Sequence, residues 1–326
     1  MSTTALLRAP MVPMARQWRA YFAPVARPAE IPAIFDPAAN AGFDLDSPPA
    51  PWVDGGWIEN LVRTPATKVQ QLRSGSAAAV SGQFRSQLDA RVEFDFQQWG
   101  KLQMAIAGGA ENMNVLAASS GAAPQPTGGQ PIAAVYLQPG STATVLQLAV
   151  ADLANFSVGD VVAVDADYQQ QTGYVGSGLT AAYVNSSTEI GGDVNYIRQV
   201  TFNVGRVAGK SAASMTLAQP LLGGVPPAGA GVQKVIAFVD REGGSFFQEW
   251  SLLLVIPEEG GGRVCFYYPR VQACVPAQEK MAVVADPLKA YALHAALVAL
   301  PVADSTDGQQ VVCYRSYTPQ AAAALY

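Results

Sequence analysis

The stretch Ala79–Leu116, AVSGQFRSQLDARVEFDFQQWGKLQMAIAGGAENMNVL, decides how this chain is read. From Phe84 to Phe96 it alternates with a period of two. Phe84, Leu88, Ala90, Val92, Phe94 and Phe96 fall on one side, with Ser86 the single polar member. Arg85, Gln87, Asp89, Arg91, Glu93 and Asp95 fall on the other. That period predicts a strand with one buried face and one wet face. At ~3.3 Å per residue it would run roughly 43 Å, more than twice the usual strand. Trp99, Leu102, Met104 and Ile106 then suit a short helix, with Lys101 and Gln103 on its wetter side. Asp95 is expected to cap its start, Gly100 to weaken it and Gly108-Gly109 to end it. The predicted core face is Phe84, Leu88, Val92, Phe94, Phe96 and Trp99.

Outward from this stretch the chain is short of charge. Half of its 326 residues are hydrophobic and only 14% are charged, against about 25% in ordinary soluble proteins. A surface that apolar is expected to be covered by further copies of the chain. The net charge of −5 argues against tight nucleic-acid binding, which needs a basic stripe. Cys265, Cys274 and Cys313 are odd in number and spread among strand-like segments, which is no disulfide framework and points to a reducing cytoplasm. Met1–Ala20 holds no apolar run suited to a signal peptide, and no stretch of ~18 apolar residues is found to span a membrane.

Four regions are expected. Residues 1–50 are broken by prolines yet carry Trp18, Tyr21, Phe22, Phe35 and Phe43, so they read as an extended arm laid on another surface, its own domain's or a neighbouring subunit's. Residues 51–137 hold short strands at Trp57–Val62 and Lys68–Leu72, a turn at Thr64-Pro65, then the long strand and helix. Residues 138–233 show short strands at regular spacing with turn signals between them, the pattern of a small β-barrel-like insertion. Residues 234–326 return to long strands. Gln248–Ile256 and Arg263–Tyr268 should pair. Leu288–Leu300 should form a hairpin with Gln310–Tyr317 across Asp307-Gly308. The fold class expected is mainly β: a sandwich or barrel with one short flanking helix, plus the inserted β-domain.

The search for chemistry yields little. His294 is the one histidine, among alanines and leucines, and reads as packed or lumen-facing rather than as a base. The cysteines lack metal spacing. Asp165 and Asp167 are too few for a calcium loop. No cofactor, metal or catalytic residue is assigned. The wet face Arg85, Gln87, Asp89, Arg91, Glu93, Asp95 sums to −1. It is either the solvent face of an antiparallel sheet or, in a ring of copies, the lining of a channel.

The segments PPAPWVDGGWIENLVRTPATKVQQLRSG (48–75) and QFRSQLDARVEFDFQQWGKLQMAIAGG (83–109) resemble the tail tube proteins of tailed bacteriophages and prophages. So do EWSLLLVIPEEGGGRVCFYYPRVQ (249–272) and DGQQVVCYRSY (307–317). The resemblance implies a β-sandwich or barrel with a flanking helix, six copies to a ring, and rings stacked into a hollow tube bridged by loops and arms. It implies a non-enzymatic virion protein made in the host cytoplasm. Its partners would be itself and other tail proteins such as tape measure and terminator, with genomic DNA passing through unbound and no membrane involved. The alternative is a β-rich virion surface-binding module, or a glycan hydrolase with its site in the 160–195 loops.

Overall fold

In a computed structural model the described residues are 17–25, 31–39, 43–49, 51–76, 78–109, 111–117, 134–165, 203–222, 224–241, 249–257, 262–274, 278–280 and 292–318. The protein is mainly β. In chain order the elements are β1 (Trp18–Pro24), β2 (Val53–Ser74), β3 (Ala79–Phe96), α1 (Lys101–Gly108), β4 (Glu111–Leu116), β5 (Val135–Tyr136), β6 (Val145–Gln147), β7 (Val161–Asp165), β8 (Val204–Lys210) and β9 (Ser214–Leu217). They continue as β10 (Gly231–Arg241), β11 (Trp250–Pro257), β12 (Arg263–Ala273), β13 (Gln278–Lys280), β14 (Ala292–Leu300), β15 (Val302–Ala303), β16 (Gln310–Val311) and β17 (Tyr314–Thr318). The chain divides into two compact units, the first running to Gly109 and resuming at Gln248, the second chiefly Ala110–Phe247.

The first unit is a closed barrel of six antiparallel strands in the order β14-β3-β2-β1-β11-β12, closed by Arg270–Ala273 of β12 pairing with Leu297–Leu300 of β14. Register explains its core. Phe22 lies opposite Leu252, Phe94 opposite Ala295, and Phe96 opposite both Ile58 and Leu293. All of these are buried, and the rings of Phe22, Phe96 and Trp250 meet across the interior. Helix α1 follows β3 after an extended Gly100 and ends at the left-handed Gly109 (φ 58°), the C-terminal signal expected there. Its start differs from expectation. No side chain caps it, and Asp95 is engaged elsewhere. Gly100 precedes the helix rather than weakening its interior. Gln103, expected on the wet side, is buried and donates to the Gly55 carbonyl at 3.1 Å.

The strand expected at Trp57–Val62 and the one at Lys68–Leu72 are a single 22-residue strand running through Thr64-Pro65. Pairing between β1 and β2 stops at Trp18↔Ile58. Among the described residues no strand pairs with that edge of β2 at Pro65, so its missing N–H breaks no described ladder on that side. The arm is also corrected. Trp18, Tyr21 and Phe22 belong to β1, an interior barrel strand between β2 and β11. Trp18 stacks on Phe266, and Tyr21 and Phe22 are buried. Phe35 and Phe43 pack with Trp52 on the outer face of β1, β11 and β12, against Tyr21, Leu253, Val255, Cys265 and Tyr267. Tyr267 donates to the Ala33 carbonyl at 2.7 Å and Tyr21 to that of Leu45 at 2.9 Å. These five aromatics hold their own chain together, because β1 completes the barrel and the segment after it covers the apolar outer face that β1 helps to make.

The pairing of β11 with β12 matches the expected return. The last hairpin does not. β15 and β16 make a two-residue ladder, while β17 crosses to pair with β12.

In the second unit β4-β10-β7-β8-β9-β6 form one sheet with β5 on β10. Its core gathers Leu146, Phe156, Val162, Val164, Met215, Leu217 and Val232. The unit starts before and ends after the 138–233 read from the sequence, because β4 pairs with the far half of β10, Glu111 opposite Arg241. Among the described residues no helix is long and apolar enough to cross a membrane.

Candidate assembly surface

The outer side of β2, β3 and β14 carries the wet face. One cross-strand row sets Glu59, Asp95 and His294 side by side. Asp95 contacts His294 Nδ1 through Oδ1 at 2.7 Å and accepts from Asn60 Nδ2 through Oδ2 at 2.7 Å. Asn60 adopts φ 54° in a bulge where β2 gains a residue between Glu59↔Asp95 and Val62↔Glu93, a conformation asparagine tolerates better than most residues. Asp95 thus ties three strands together. Glu93 and Arg91 follow on the same side, beside Ala296 and Val298. Arg91 reaches Asp89 at 3.6 Å, with both side chains well exposed, a pair worth little in water. Described charges on this side are Glu59, Asp89, Glu93 and Asp95 against Lys68 and Arg91, a mixed and slightly acidic face.

Beyond the barrel the same two strands continue alone. The last β3 partner in β14 is Ala90↔Ala299, and Ala90 faces Pro65. From there Ala66–Ser74 and Ala79–Asp89 pair only with each other among the described strands. Nine residues of strand make a ribbon of about 30 Å. Two bulges shape it. Lys68 faces Gln87 and Val69 faces Arg85, so Ser86 is the extra residue, its hydroxyl bonded to the Lys68 carbonyl. Leu72 faces Gly82 and Arg73 faces Val80, so Ser81 is extra, bonded to the Leu72 carbonyl. Each extra residue shifts the alternation by one.

The bulge at Ser86 explains where the expected residues lie. Val92, Phe94 and Phe96 are buried and Leu88 is half-buried, but Phe84 is 51% exposed. Phe84 pairs with Gln70 on the side of Asp89 and Arg91, not with the core face, and it lies beyond the barrel. Arg85 is displaced to the opposite side, across from Val69. Asp89, Arg91, Glu93 and Asp95 remain on the barrel's outer side, and Gln87 pairs with Lys68 at its margin. Trp99 is exposed because it precedes the helix.

At the root of the ribbon Arg63 shares the core face with Val92. Its guanidinium lies 3.8 Å from the centre of the Phe266 ring and donates to Tyr268 Oη at 2.6 Å and Cys313 Sγ at 3.4 Å. Burial pushes the Tyr268 phenol up to about 12, with Arg63 pulling it back, and raises the Cys313 thiol likewise. This clamp joins β2 to β12 across β1 and β11, so the ribbon springs from a braced base. Sequence reasoning missed it, since nothing in local pattern links Arg63 to residues two hundred positions away.

Among the described residues no group of three or more His, Cys, Asp or Glu is placed to hold a metal. Asp167 and most of the 160–195 loops lie outside the described residues, as does the side chain of Asp165. No protein-family model matches the chain. No curated protein matches it.

Proposed function

We propose that the protein is a structural subunit that assembles with copies of itself into stacked rings, the tube of a phage tail, through which DNA passes. The observation that carries this reading is the ribbon: Val69, Leu72, Val80 and Phe84 stand half-exposed on two strands that no other described strand covers. A lone two-stranded ribbon is marginal in water, and apolar strand edges invite pairing with another chain. The low charge content agrees. The tube geometry and tail partners come from the resemblance. The mixed outer side with Asp89, Arg91, Glu93 and Asp95 suits a lumen wall, since a slightly acidic lining repels phosphates weakly and offers no basic stripe to hold them. Negative-stain electron microscopy with native mass determination on one sample tests the reading. Rings or hollow tubes are expected, and a clean 34.1 kDa monomer at high concentration contradicts it.

A further inference from the structure

We infer that the inner face of the barrel around Phe266 is a binding site for a nucleoside monophosphate, with Arg63 and Arg315 holding the phosphate and Tyr317 beside them for the base. The inference is independent of the assembly reading, and the site lies on the other side of the barrel wall from the proposed lumen lining.

Register builds the site. On β12, Val264, Phe266 and Tyr268 share the inner face, opposite Ile256, Leu254 and Leu252 of β11. Across the other edge of β12, Tyr317 faces Val264 and Arg315 faces Phe266. Trp18 stacks on Phe266 with 6.1 Å between ring centres, and the Arg63 guanidinium lies over the same ring. Arg63 from β2 and Arg315 from β17 thus flank one aromatic side chain. Both act on Cys313, pulling its thiol down against the burial that raises it.

Charge is unbalanced here. Elsewhere in the barrel Arg19 pairs with Asp46 and Asp54, Arg270 pairs with Glu249, and Arg263 donates to the Phe43 carbonyl. Arg63 has neither carboxylate nor carbonyl. Its Nε and Nη2 go to a phenol and a thiol, and Nη1 has no hydrogen-bond partner among the described residues. Arg315 is exposed and has neither an ion pair nor a hydrogen bond among the described residues. No carboxylate occupies a described inner-face position on β1, β11, β12 or β17. The contact with Phe266 returns part of the hydration that half-buried Arg63 gives up. An anion bridging the two arginines returns the rest through charge-assisted hydrogen bonds.

The type of anion follows from the number of cations. Two guanidiniums match a phosphate monoester, which carries about −1.5 to −2 at pH 7. A carboxylate or a phosphodiester is singly charged and leaves one guanidinium unmatched. Guanidinium forks also suit phosphate oxygens. The base follows from Tyr317, which is 41% exposed and shares the face of Arg315. Two residues of strand separate them by about 7 Å, room for the sugar that stands between a nucleotide's phosphate and its base.

Equilibrium dialysis of the full-length chain against adenosine 5′-monophosphate tests the site. Binding is expected. Inorganic phosphate and adenosine should each bind at least about tenfold more weakly, because each keeps one of the two contacts. Arg315→Gln should weaken the nucleotide at least about tenfold and melt as the parent does. Arg63 also braces β2 on β12, so a second readout replaces its variant. In a Cys274→Ser background, alkylation of Cys313 should slow on adding the nucleotide, and should not slow when Arg315→Gln is added. No binding by the parent, or equal binding by Arg315→Gln, overturns the inference. So does a 3′,5′-cyclic monophosphate that binds as tightly as the monoester. A single-stranded oligonucleotide that binds more tightly than the mononucleotide assigns the site to a nucleic-acid strand and overturns it too.

Discussion

β3 is two strands in one. Its second half, Ala90–Phe96, sits between β2 and β14 with Val92, Phe94 and Phe96 sealed in the barrel. Its first half, Ala79–Leu88, is more polar, with Val80, Phe84 and Leu88 four apart rather than two, and leaves Val80 and Phe84 in the open. The halves differ in pattern and also in neighbours: among the described strands the second half has two and the first half one. Alternation reports which way side chains point, and only topology decides what covers them.

That contrast can be broken most forcefully with a charge. Phe94→Asp should unfold the barrel, costing about 4 kcal/mol or more, because a carboxylate would be buried without a partner. Phe84→Asp should change stability by no more than about 0.5 kcal/mol while blocking assembly. Paired thermal melts and native mass spectra check both. Equal destabilisation by the two would place Phe84 in the core after all.

Glycines sharpen the comparison at smaller amplitude. A Cβ on Gly55 would lie 2.7 and 2.8 Å from ring atoms of Phe22 and 3.0 Å from the Ala20 carbonyl. Gly55→Ala should therefore cost about 1–3 kcal/mol through overpacking. Gly82 in the ribbon has nothing within 4 Å of the same position. Gly82→Ala should be neutral or stabilise by up to about 1 kcal/mol, through the unfolded chain. Urea denaturation of the two variants gives the ordering.

Alkali separates the regions by chemistry. The ribbon has no tyrosine, whereas the barrel buries Tyr21, Tyr267 and Tyr268, and burial raises all three phenols. An unfolded tyrosine ionises near pH ~10. Above that pH the unfolded state sheds protons that the folded barrel keeps, so unfolding gains. The stabilisation is complete below about pH 10 and is lost as pH climbs toward 12, where Tyr268 titrates. The urea midpoint should fall across that window, and a flat profile would contradict it.

The smallest effect expected is from excision of the second unit. Its first and last strands lie side by side, Glu111 opposite Arg241. Replacing Ala110–Phe247 with a short turn should leave the barrel's melting within about 0.5 kcal/mol. Circular dichroism and calorimetry of the shortened chain would show it. Loss of cooperative melting would mean the barrel needs the inserted unit.

Much of this architecture is legible in the sequence, and the misses have causes. The period of β3, the glycine stop of α1 and the β11–β12 return are local patterns that survive into the fold. The reach of β2 through Pro65 was hidden, because a proline reads as a turn unless one knows that no described strand pairs with that edge. The place of β1 was hidden too, since seven residues cannot announce that they close a barrel between partners at positions 53–58 and 250–255. Ser86, the one polar residue on the supposed core face, was the visible trace of the bulge that moves Phe84 and Arg85 to other sides. The row Asn60, Asp95, His294 and the clamp at Arg63 arise from contacts between distant segments, which no local period encodes.

The most direct measurement compares the intact chain with one whose residues 66–88 are replaced by a two-residue turn, by native mass spectrometry and electron microscopy at equal concentration. The shortened chain should keep the barrel's melting transition and remain monomeric, while the intact chain forms rings or tubes. Assemblies from the shortened chain, or a monomer from the intact one, would contradict the assignment of the ribbon as the element that joins copies.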